Sequence, residues 1–200
     1  MENKIRTFGF LILFGLGTLI SSNAQDVKQW TLDKNHTSVS FEIKHFFNTV
    51  HGSFNNYQGD FWFDPNNLTD SKFTFTIPAS SIDTNNEKRD THLRSEDFFY
   101  VEKYPNITFE STGFEKKSGA NYVVKGDLTI RGITRKVAVP FEITGEMEHP
   151  MKEDTIIMGL SFNTKLDRTD YKVGIGDWSS KLVVGYIVDV SINMELNSKK

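Results

Sequence analysis

The sequence contains no cysteine among its 200 residues. Disulfide bonds, a catalytic thiolate and thiolate-ligated metal centres are therefore excluded. A basic excess is also absent, because 23 Lys and Arg stand against 26 Asp and Glu, for a formal net charge of −3. Such a chain has no surplus of cations to neutralise a phosphate backbone, so nucleic acid is not an expected partner. Apolar residues make up 38% of the chain and 17 residues are Phe, which predicts a folded globular domain.

A long uncharged apolar run occurs only near the N-terminus, at residues 8–20. Lys4 and Arg6 precede it, and a short stretch of small polar residues that ends at Ala24 follows it. This order is typical of a secretory signal peptide, and we assign one to residues 1–24. As a helix the run would rise only about 20 Å, too short for a bilayer core of about 30 Å.

The predicted mature domain, residues 25–200, contains no second run of spanning length. After signal cleavage we therefore expect an exported protein that is not an integral membrane protein, and a single domain. A bacterial periplasm is the expected compartment, with secretion as the alternative. The sequence leaves the oligomeric state open between a monomer and a homodimer.

Apolar and polar residues alternate along most of this domain, as in Val39, Phe41 and Ile43, which are separated by Ser40 and Glu42. A period of two is typical of β-strands with one buried face. Similar or β-rich patterns recur at residues 61–63, 72–77, 107–110, 122–131, 134–144, 155–166 and 188–195. We therefore predict an all-β domain of about eight to ten strands. Because open edges invite aggregation, the sheet is expected to close into a barrel or stack as a sandwich.

Residues 84–99 break the alternation and are rich in charge, which predicts a helix or an ordered loop. Thr84 and Glu87 have the spacing of a capping box at a helix start. Asp90 and Arg94 are four residues apart, so an ion pair between them is expected on a helix.

Five segments in this order resemble the YceI-like family of exported lipid-binding proteins. They are LDKNHTSVSFEIKHF at 32–46, RDTHLRSEDFF at 89–99, YPNITFES at 104–111, GDLTIRGITRKV at 126–137 and LDRTDY at 166–171. The resemblance implies an elongated antiparallel lipocalin-like β-barrel of about 8 strands with one short helical segment. It also implies a hydrophobic channel that holds a long-chain isoprenoid or another amphiphile, without catalysis. In many members a glycine directly follows the last motif, whereas this chain has Lys172.

Strand parity places a set of mostly aromatic residues inside the barrel as candidate channel residues: Phe41, Ile43, His45, Phe61, Phe63, Phe73, Phe75 and Phe109. A barrel of about eight strands either fills its interior with side chains or holds one ligand, and parity does not separate these cases.

The charged segment supplies candidate residues for the mouth of the channel: Arg89, Asp90, His92 and Arg94. A guanidinium presents a planar fork of N–H groups that suits a phosphate or carbonyl head group. The alternative is that the segment plugs the barrel end, with its apolar residues buried and its charges in solvent.

Sequence motifs for other chemistry are lacking. The 5 histidines form neither His-x-His nor His-Glu-x-x-His, and there is no Gly-x-Ser-x-Gly elbow. We therefore predict no catalytic residue, no metal and no cofactor. The expected function is that of a binding protein that holds an isoprenoid, quinone or other amphiphilic lipid for carriage, storage or sequestration in the cell envelope. The alternatives are a periplasmic enzyme acting on a lipid-linked substrate and a solid-core stress-response or adhesion module.

Overall fold

The computed structural model describes residues 27–200, so the predicted signal peptide lies outside the described residues. Residues 27–200 form ten β-strands and one α-helix. In chain order they are β1 (Gln29–His45), β2 (Asn48–Phe54), β3 (Gln58–Trp62), β4 (Lys72–Pro78), β5 (Ile82–Asp83), α1 (Glu87–Arg94), β6 (Asn106–Lys116), β7 (Asn121–Ile130), β8 (Ile133–Glu148), β9 (Thr155–Asp167) and β10 (Val184–Lys199). Every run that the alternation assigned to a strand overlaps one of these strands, and two of the runs, 61–63 and 122–131, extend one residue beyond β3 and β7.

The strands pair antiparallel in one sheet, and the last strand returns to the first. Phe41 of β1 pairs with Val190 of β10, which closes the sheet into a barrel. The other edge of β1 pairs with β2 along one half and with β3 at the other end, so these two strands share one position in the barrel. β4 and β5 share the next position in the same way, as partners of β3 and β2. The predicted antiparallel barrel of about eight strands is therefore confirmed.

One end of the barrel is filled by aromatic side chains. Phe63 and Phe73 lie 5.6 Å apart between ring centroids, and Phe141 stacks on Tyr122 at 5.4 Å and on Phe162 at 5.1 Å. The indole Nε1 of Trp30 donates a hydrogen bond to the backbone oxygen of Phe63 at 2.9 Å and fixes the first strand across this end. We call this the packed end.

Helix α1 lies at the opposite end and begins at Glu87, where the side chain of Asn86 accepts a hydrogen bond from the backbone N–H of Arg89 at 3.0 Å. The predicted capping box at Thr84 is therefore wrong by two residues. Thr84 is buried instead, and its hydroxyl and backbone N–H both donate to the Asp90 carboxylate, at 2.5 and 3.0 Å. Between residues 27 and 200, no helix has the length and apolar character needed to cross a membrane.

The predicted ion pair between Asp90 and Arg94 is also wrong. Asp90 is only 3% exposed and is committed to Thr84, as described above. Arg94 turns the other way and contacts the Glu87 carboxylate at 3.3 Å. Its remaining N–H groups donate to the backbone oxygens of Ser80 and Ile82. The helix is thus joined to the barrel wall through backbone oxygens rather than through an internal charge pair.

Candidate functional site

The barrel contains an apolar cavity of about 840 Å³ between the packed end and α1. Inward-facing residues of successive strands line its middle. Phe75 of β4 pairs with Phe109 of β6, which pairs with Leu128 of β7, and Leu166 of β9 pairs with Val188 of β10. All five line the cavity. A volume of this size lies within the range of pockets that bury a small organic ligand.

The cavity stays open partly because the ends of large rings occupy the space beside glycines of the neighbouring strand. A Cβ atom placed on Gly52 would lie 2.8 Å from Cε1 of Phe41 and 2.9 Å from Cγ2 of Thr84. A Cβ on Gly126 would lie 2.5 Å from Cζ of Phe109. Atoms cannot approach this closely, so any larger residue would push each ring toward the barrel axis. The missing side chains therefore leave space in the lumen.

Exposure separates the hollow part of the barrel from the packed part. Leu160 and Leu196 near the packed end are 1% and 0% exposed. Leu128, Val139 and Val190 also face inward, but they are only half-buried, because they border the cavity. The sequence pattern did not decide between a filled and a hollow interior. The structure shows a barrel that is filled at one end and hollow in the middle.

The cavity reaches the surface beside α1. Asn86 and Lys88 line it and are exposed to solvent, and His45 at the end of β1 lines it from the other side. We call this opening the mouth. Polar lining residues are concentrated here, whereas the rest of the lining is almost entirely apolar. An amphiphile with its tail in the barrel would place its polar group at this end.

Arg89 is held in place at the mouth by Thr84. Its Nε donates to the Thr84 hydroxyl at 2.7 Å and its Nη2 donates to the Thr84 backbone oxygen at 2.7 Å. Within residues 27–200, Nη1 of Arg89 makes no hydrogen bond or ion pair, so a donor is left free beside the cavity. The Thr84 hydroxyl donates to Asp90 and accepts from Arg89, so the buried aspartate orients the group that receives Arg89.

His92 lies one helical turn further along α1 and also lines the cavity. Its Nε2 lies 2.9 Å from the Asp97 carboxylate. The imidazole ring packs edge-on against Phe98 at 5.0 Å and Trp178 at 4.8 Å between ring centroids. His92 is therefore fixed in orientation by one polar and two aromatic neighbours.

Arg168 holds together the loop between β9 and β10, which forms part of the cavity wall. It is only 5% exposed, and its guanidinium donates to the backbone oxygens of Val173, Gly174, Trp178, Val184 and Gly185 at 2.6–3.0 Å. Burial lowers the pKa of this guanidinium from its ordinary value, and Tyr186 and Asp167 oppose the shift.

Lys172, in the same loop, has a positive φ of 54°, the backbone conformation that a glycine adopts most easily. The chain therefore keeps the backbone shape suited to glycine at the position where many members of the family have one.

The structure brings most of the predicted channel residues to the cavity. Seven of them line it: Phe41, Ile43, His45, Phe61, Phe73, Phe75 and Phe109. Phe63 does not, because it is 1% exposed and belongs to the packed end. The alternation predicted correctly that these side chains face the inside of the barrel. It does not show where along the barrel axis each side chain lies. Their role in ligand binding remains a prediction.

The predicted mouth residues divide into two pairs. Arg89 and His92 line the cavity. Asp90 and Arg94 do not, because Asp90 is buried under Thr84 and Arg94 points to the outer side of the helix. The charged segment thus offers one free arginine donor at the cavity rather than two.

The lining also includes residues from later strands that were not singled out from the sequence: Val124, Leu128, Val137, Val139, Leu166, Val188, Val190 and Ile192. The alternation of Val188, Val190 and Ile192 carried the signal that they face inward.

A polar cluster of Asp33, His36 and Glu195 lies on the outer surface of the barrel. His36 Nδ1 lies 3.3 Å from the Asp33 carboxylate and 3.7 Å from the Glu195 carboxylate. Burial acts to raise the pKa of Asp33, but hydrogen bonds from the His36 side chain and from the Asn35 backbone bring it below its ordinary value. The imidazole of His36 therefore lies between the two carboxylates on the outside of the barrel.

A closed antiparallel barrel with an apolar cavity and a polar mouth defines the class of lipocalin-like β-barrels. Comparison with known proteins then identifies the family, because residues 30–196 match the model of the YceI-like domain. The chain belongs to the YceI-like family.

Relatives and solved structures agree with this assignment. The chain is 38% identical over 147 residues to UPF0312 protein plu2095 of Photorhabdus laumondii, covering 73% of this chain and 76% of that protein. The crystal structure of the Campylobacter jejuni YCEI protein matches with a TM-score of 0.69 and 34% identity, over 85% of this chain and 98% of the other. A polyisoprenoid binding domain from Saccharophagus degradans has the same fold, with a TM-score of 0.63 and 13% identity, over 86% of this chain and 99% of that domain.

Proposed function

We propose that this chain is an exported binding protein that holds one long-chain isoprenoid, quinone or related amphiphilic lipid in its barrel. The observation that carries the proposal is the largely apolar cavity of about 840 Å³ with polar residues concentrated at its mouth. Such a cavity suits a ligand with a long tail and a small polar end. The protein would carry, store or sequester this lipid in the cell envelope.

The cavity volume sets the scale of the affinity. At about 30 Å³ per non-hydrogen atom, as in liquid water, 840 Å³ has room for about 28 atoms. At about −0.3 kcal/mol per atom for a ligand of this size, binding is worth about −8 kcal/mol, or a Kd of about 1 μM. Apolar burial alone therefore suffices for useful affinity, and the head group adds selectivity.

The mouth favours a head group that accepts hydrogen bonds or carries negative charge. Lys88 and Arg89 lie there, and within residues 27–200 no Asp or Glu lines the cavity. Nη1 of Arg89 is the donor best placed to reach such a group, because the guanidinium is already positioned by Thr84. A phosphate or carboxylate would receive a charge-assisted hydrogen bond from it.

Two further observations support the class of ligand and the compartment. A structural neighbour is described as a polyisoprenoid binding domain, which agrees with a long apolar chain as the ligand. The N-terminal segment of the sequence has the features of a cleavable signal peptide, which supports export. In a bacterium the periplasm is the proposed location.

Uptake of a fluorescent polyisoprenyl phosphate and of the matching polyisoprenol tests the proposal. We expect both to bind in the micromolar range, and the phosphate to bind more tightly. Arg89→Met should weaken the phosphate about tenfold more than the alcohol, because one charge-assisted bond is lost. Arg94→Met is the matched control and should change neither, since Arg94 faces away from the cavity. Failure of the wild-type protein to bind either probe would contradict the proposal.

An enzyme acting on a lipid-linked substrate is the second candidate, and the pair of His92 and Asp97 at 2.9 Å is the observation in its favour. This pair orients an imidazole at the mouth, where it could transfer a proton. We favour binding over catalysis because the cavity lining supplies no carboxylate to His92 as a second acid or base within residues 27–200. Release of phosphate from polyisoprenyl phosphate or pyrophosphate, abolished by His92→Asn, would support the enzyme.

A further inference from the structure

The turn between β1 and β2 is unusual in both conformation and composition. His45 pairs with Asn48, so Phe46 and Phe47 are the two loop residues of a tight hairpin. Such turns favour Asn-Gly or similar pairs, because backbone with positive φ is needed. Phe46 nevertheless has a φ of 50°, a conformation that is rare for a bulky residue. The turn therefore has a strained backbone and carries two phenyl rings at its tip.

These rings project into solvent. Phe46 is 58% exposed and Phe47 is 100% exposed. Leu182, in the loop before β10, is 76% exposed. The backbone N–H of Phe46 donates to the backbone oxygen of Val183 at 3.1 Å, which joins the two turns. We call Phe46, Phe47 and Leu182 the apolar rim.

The apolar rim lies directly at the mouth. His45 precedes Phe46 and lines the cavity, and Val184 follows Leu182 by two residues and also lines it. The rim is therefore continuous with the inner apolar surface. Two exposed lysines, Lys44 and Lys181, lie next to the rim along the chain.

We infer that the apolar rim inserts into the surface of an anionic lipid bilayer, so that the mouth opens against the membrane and the lipid chain passes directly between bilayer and cavity. This inference rests on the proposed function. Phe and Leu beside lysines are typical of segments that lie at the boundary between head groups and acyl chains. Direct passage avoids exposing a long apolar chain to water.

A second copy of the chain is a poorer occupant of this surface. A stable interface buries about 800 Å² on each partner, whereas an aromatic side chain supplies at most about 250 Å². The three side chains of the apolar rim supply less than that area. A second copy would also bring lysines of the same charge to the interface, whereas lipid phosphates would attract Lys44 and Lys181.

Vesicle binding of the hairpin variant Phe46→Gly/Phe47→Asn tests the inference. Residue 46 has the positive φ in this turn, and Gly adopts that conformation most easily, so this variant should unfold at a higher temperature than the wild type. It should nevertheless bind vesicles of equal parts phosphatidylcholine and phosphatidylglycerol at least about tenfold more weakly, because two phenyl groups no longer leave water. Met147→Ser/Met151→Ser is the matched control, since both methionines are exposed at the packed end, and its vesicle binding should match the wild type.

Ligand uptake separates failure of this inference from failure of the proposed function. Polyisoprenol delivered from cyclodextrin should bind the hairpin variant as it binds the wild type, while transfer from vesicles should slow about tenfold. Wild-type protein that takes up the probe but does not bind vesicles would overturn the membrane inference alone. Equal vesicle binding by the hairpin variant would overturn it too, as would a concentration-dependent dimer that the variant abolishes. Absence of uptake by the wild type would overturn the proposed function.

Discussion

Filling the cavity should abolish binding without harming the fold. Val139 of β8 and Val190 of β10 both face the cavity and are only half-buried, so space is available beside each of them. Replacing both with Phe puts two rings into the space proposed for the lipid tail. Elsewhere in a protein core such changes cost stability through overpacking. Here the added atoms gain contacts in an existing void, so the free energy of unfolding should stay equal or rise.

The expected loss of affinity follows from the volume. Val139→Phe/Val190→Phe adds about eight non-hydrogen atoms, against the room for about 28 atoms estimated above. At about 0.3 kcal/mol for each ligand atom displaced, binding should weaken by about 2.4 kcal/mol, or about fiftyfold. Ala138→Phe is the control, because Ala138 adjoins Val139 on β8 but is exposed on the outer face.

Titration of each variant with fluorescent polyisoprenol gives its affinity, and urea unfolding gives its free energy of unfolding. Ala138→Phe should bind as the wild type does. If the filled variant unfolds at or above the wild-type urea concentration and still binds within twofold of the wild type, the ligand does not occupy the barrel. The reasoning from cavity volume would then be refuted.

Two further predictions concern stability. Arg168→Met should lower the free energy of unfolding by about 3–5 kcal/mol, because five backbone oxygens lose their buried donor. Arg135 is exposed and makes one hydrogen bond of 3.3 Å, so Arg135→Met should lower it by less than about 1 kcal/mol. Urea unfolding measures both, and equal small losses would contradict the role given to Arg168. Burial raises the pKa of Tyr171, so its stabilising contribution is complete below the ordinary tyrosine pKa of about 10 and is lost as pH rises through the higher folded value. Tyr171→Phe should therefore flatten the alkaline fall in stability, and an unchanged fall would count against this assignment.

The strands were predictable because the alternation is local. In β4, for example, the positions of Phe73, Phe75 and Ile77 identify the buried face from the sequence of that strand alone. Closure of the sheet followed from the general cost of open edges, and the family resemblance supplied the strand number. The start of α1 was missed because Thr84 and Asn86 both suit a helix N-terminus. The choice between them depends on Asp90, because the buried Asp90 carboxylate accepts the hydrogen bond of the Thr84 hydroxyl.

The cavity was not predictable from the same pattern. Phe63 and Phe41 look alike in sequence, yet Phe63 closes the packed end while Phe41 borders empty space. The difference comes from the partner strand, since Gly52 lies opposite Phe41 and lets its ring lie against the wall. That pairing register is a property of the folded sheet.

Arg168 posed a different difficulty. A charged residue in a loop normally indicates solvent exposure, but five backbone oxygens converge on this one. The acceptors come from the loop before β10 and from the first two residues of β10, and no sequence periodicity shows that their backbone oxygens converge on one side chain. Only the segment LDRTDY, through its resemblance to the family, marked the position as one of interest.

The central claim is that a lipid tail lies inside the barrel, and a crystal structure of the protein with a terminally brominated polyisoprenol tests it most directly. The account predicts one anomalous bromine peak inside the cavity that Phe41, Phe75 and Phe109 line, with the hydroxyl end near Arg89. A bromine peak only on the outer surface, or aromatic rings that meet across the lumen and leave no space, would contradict it.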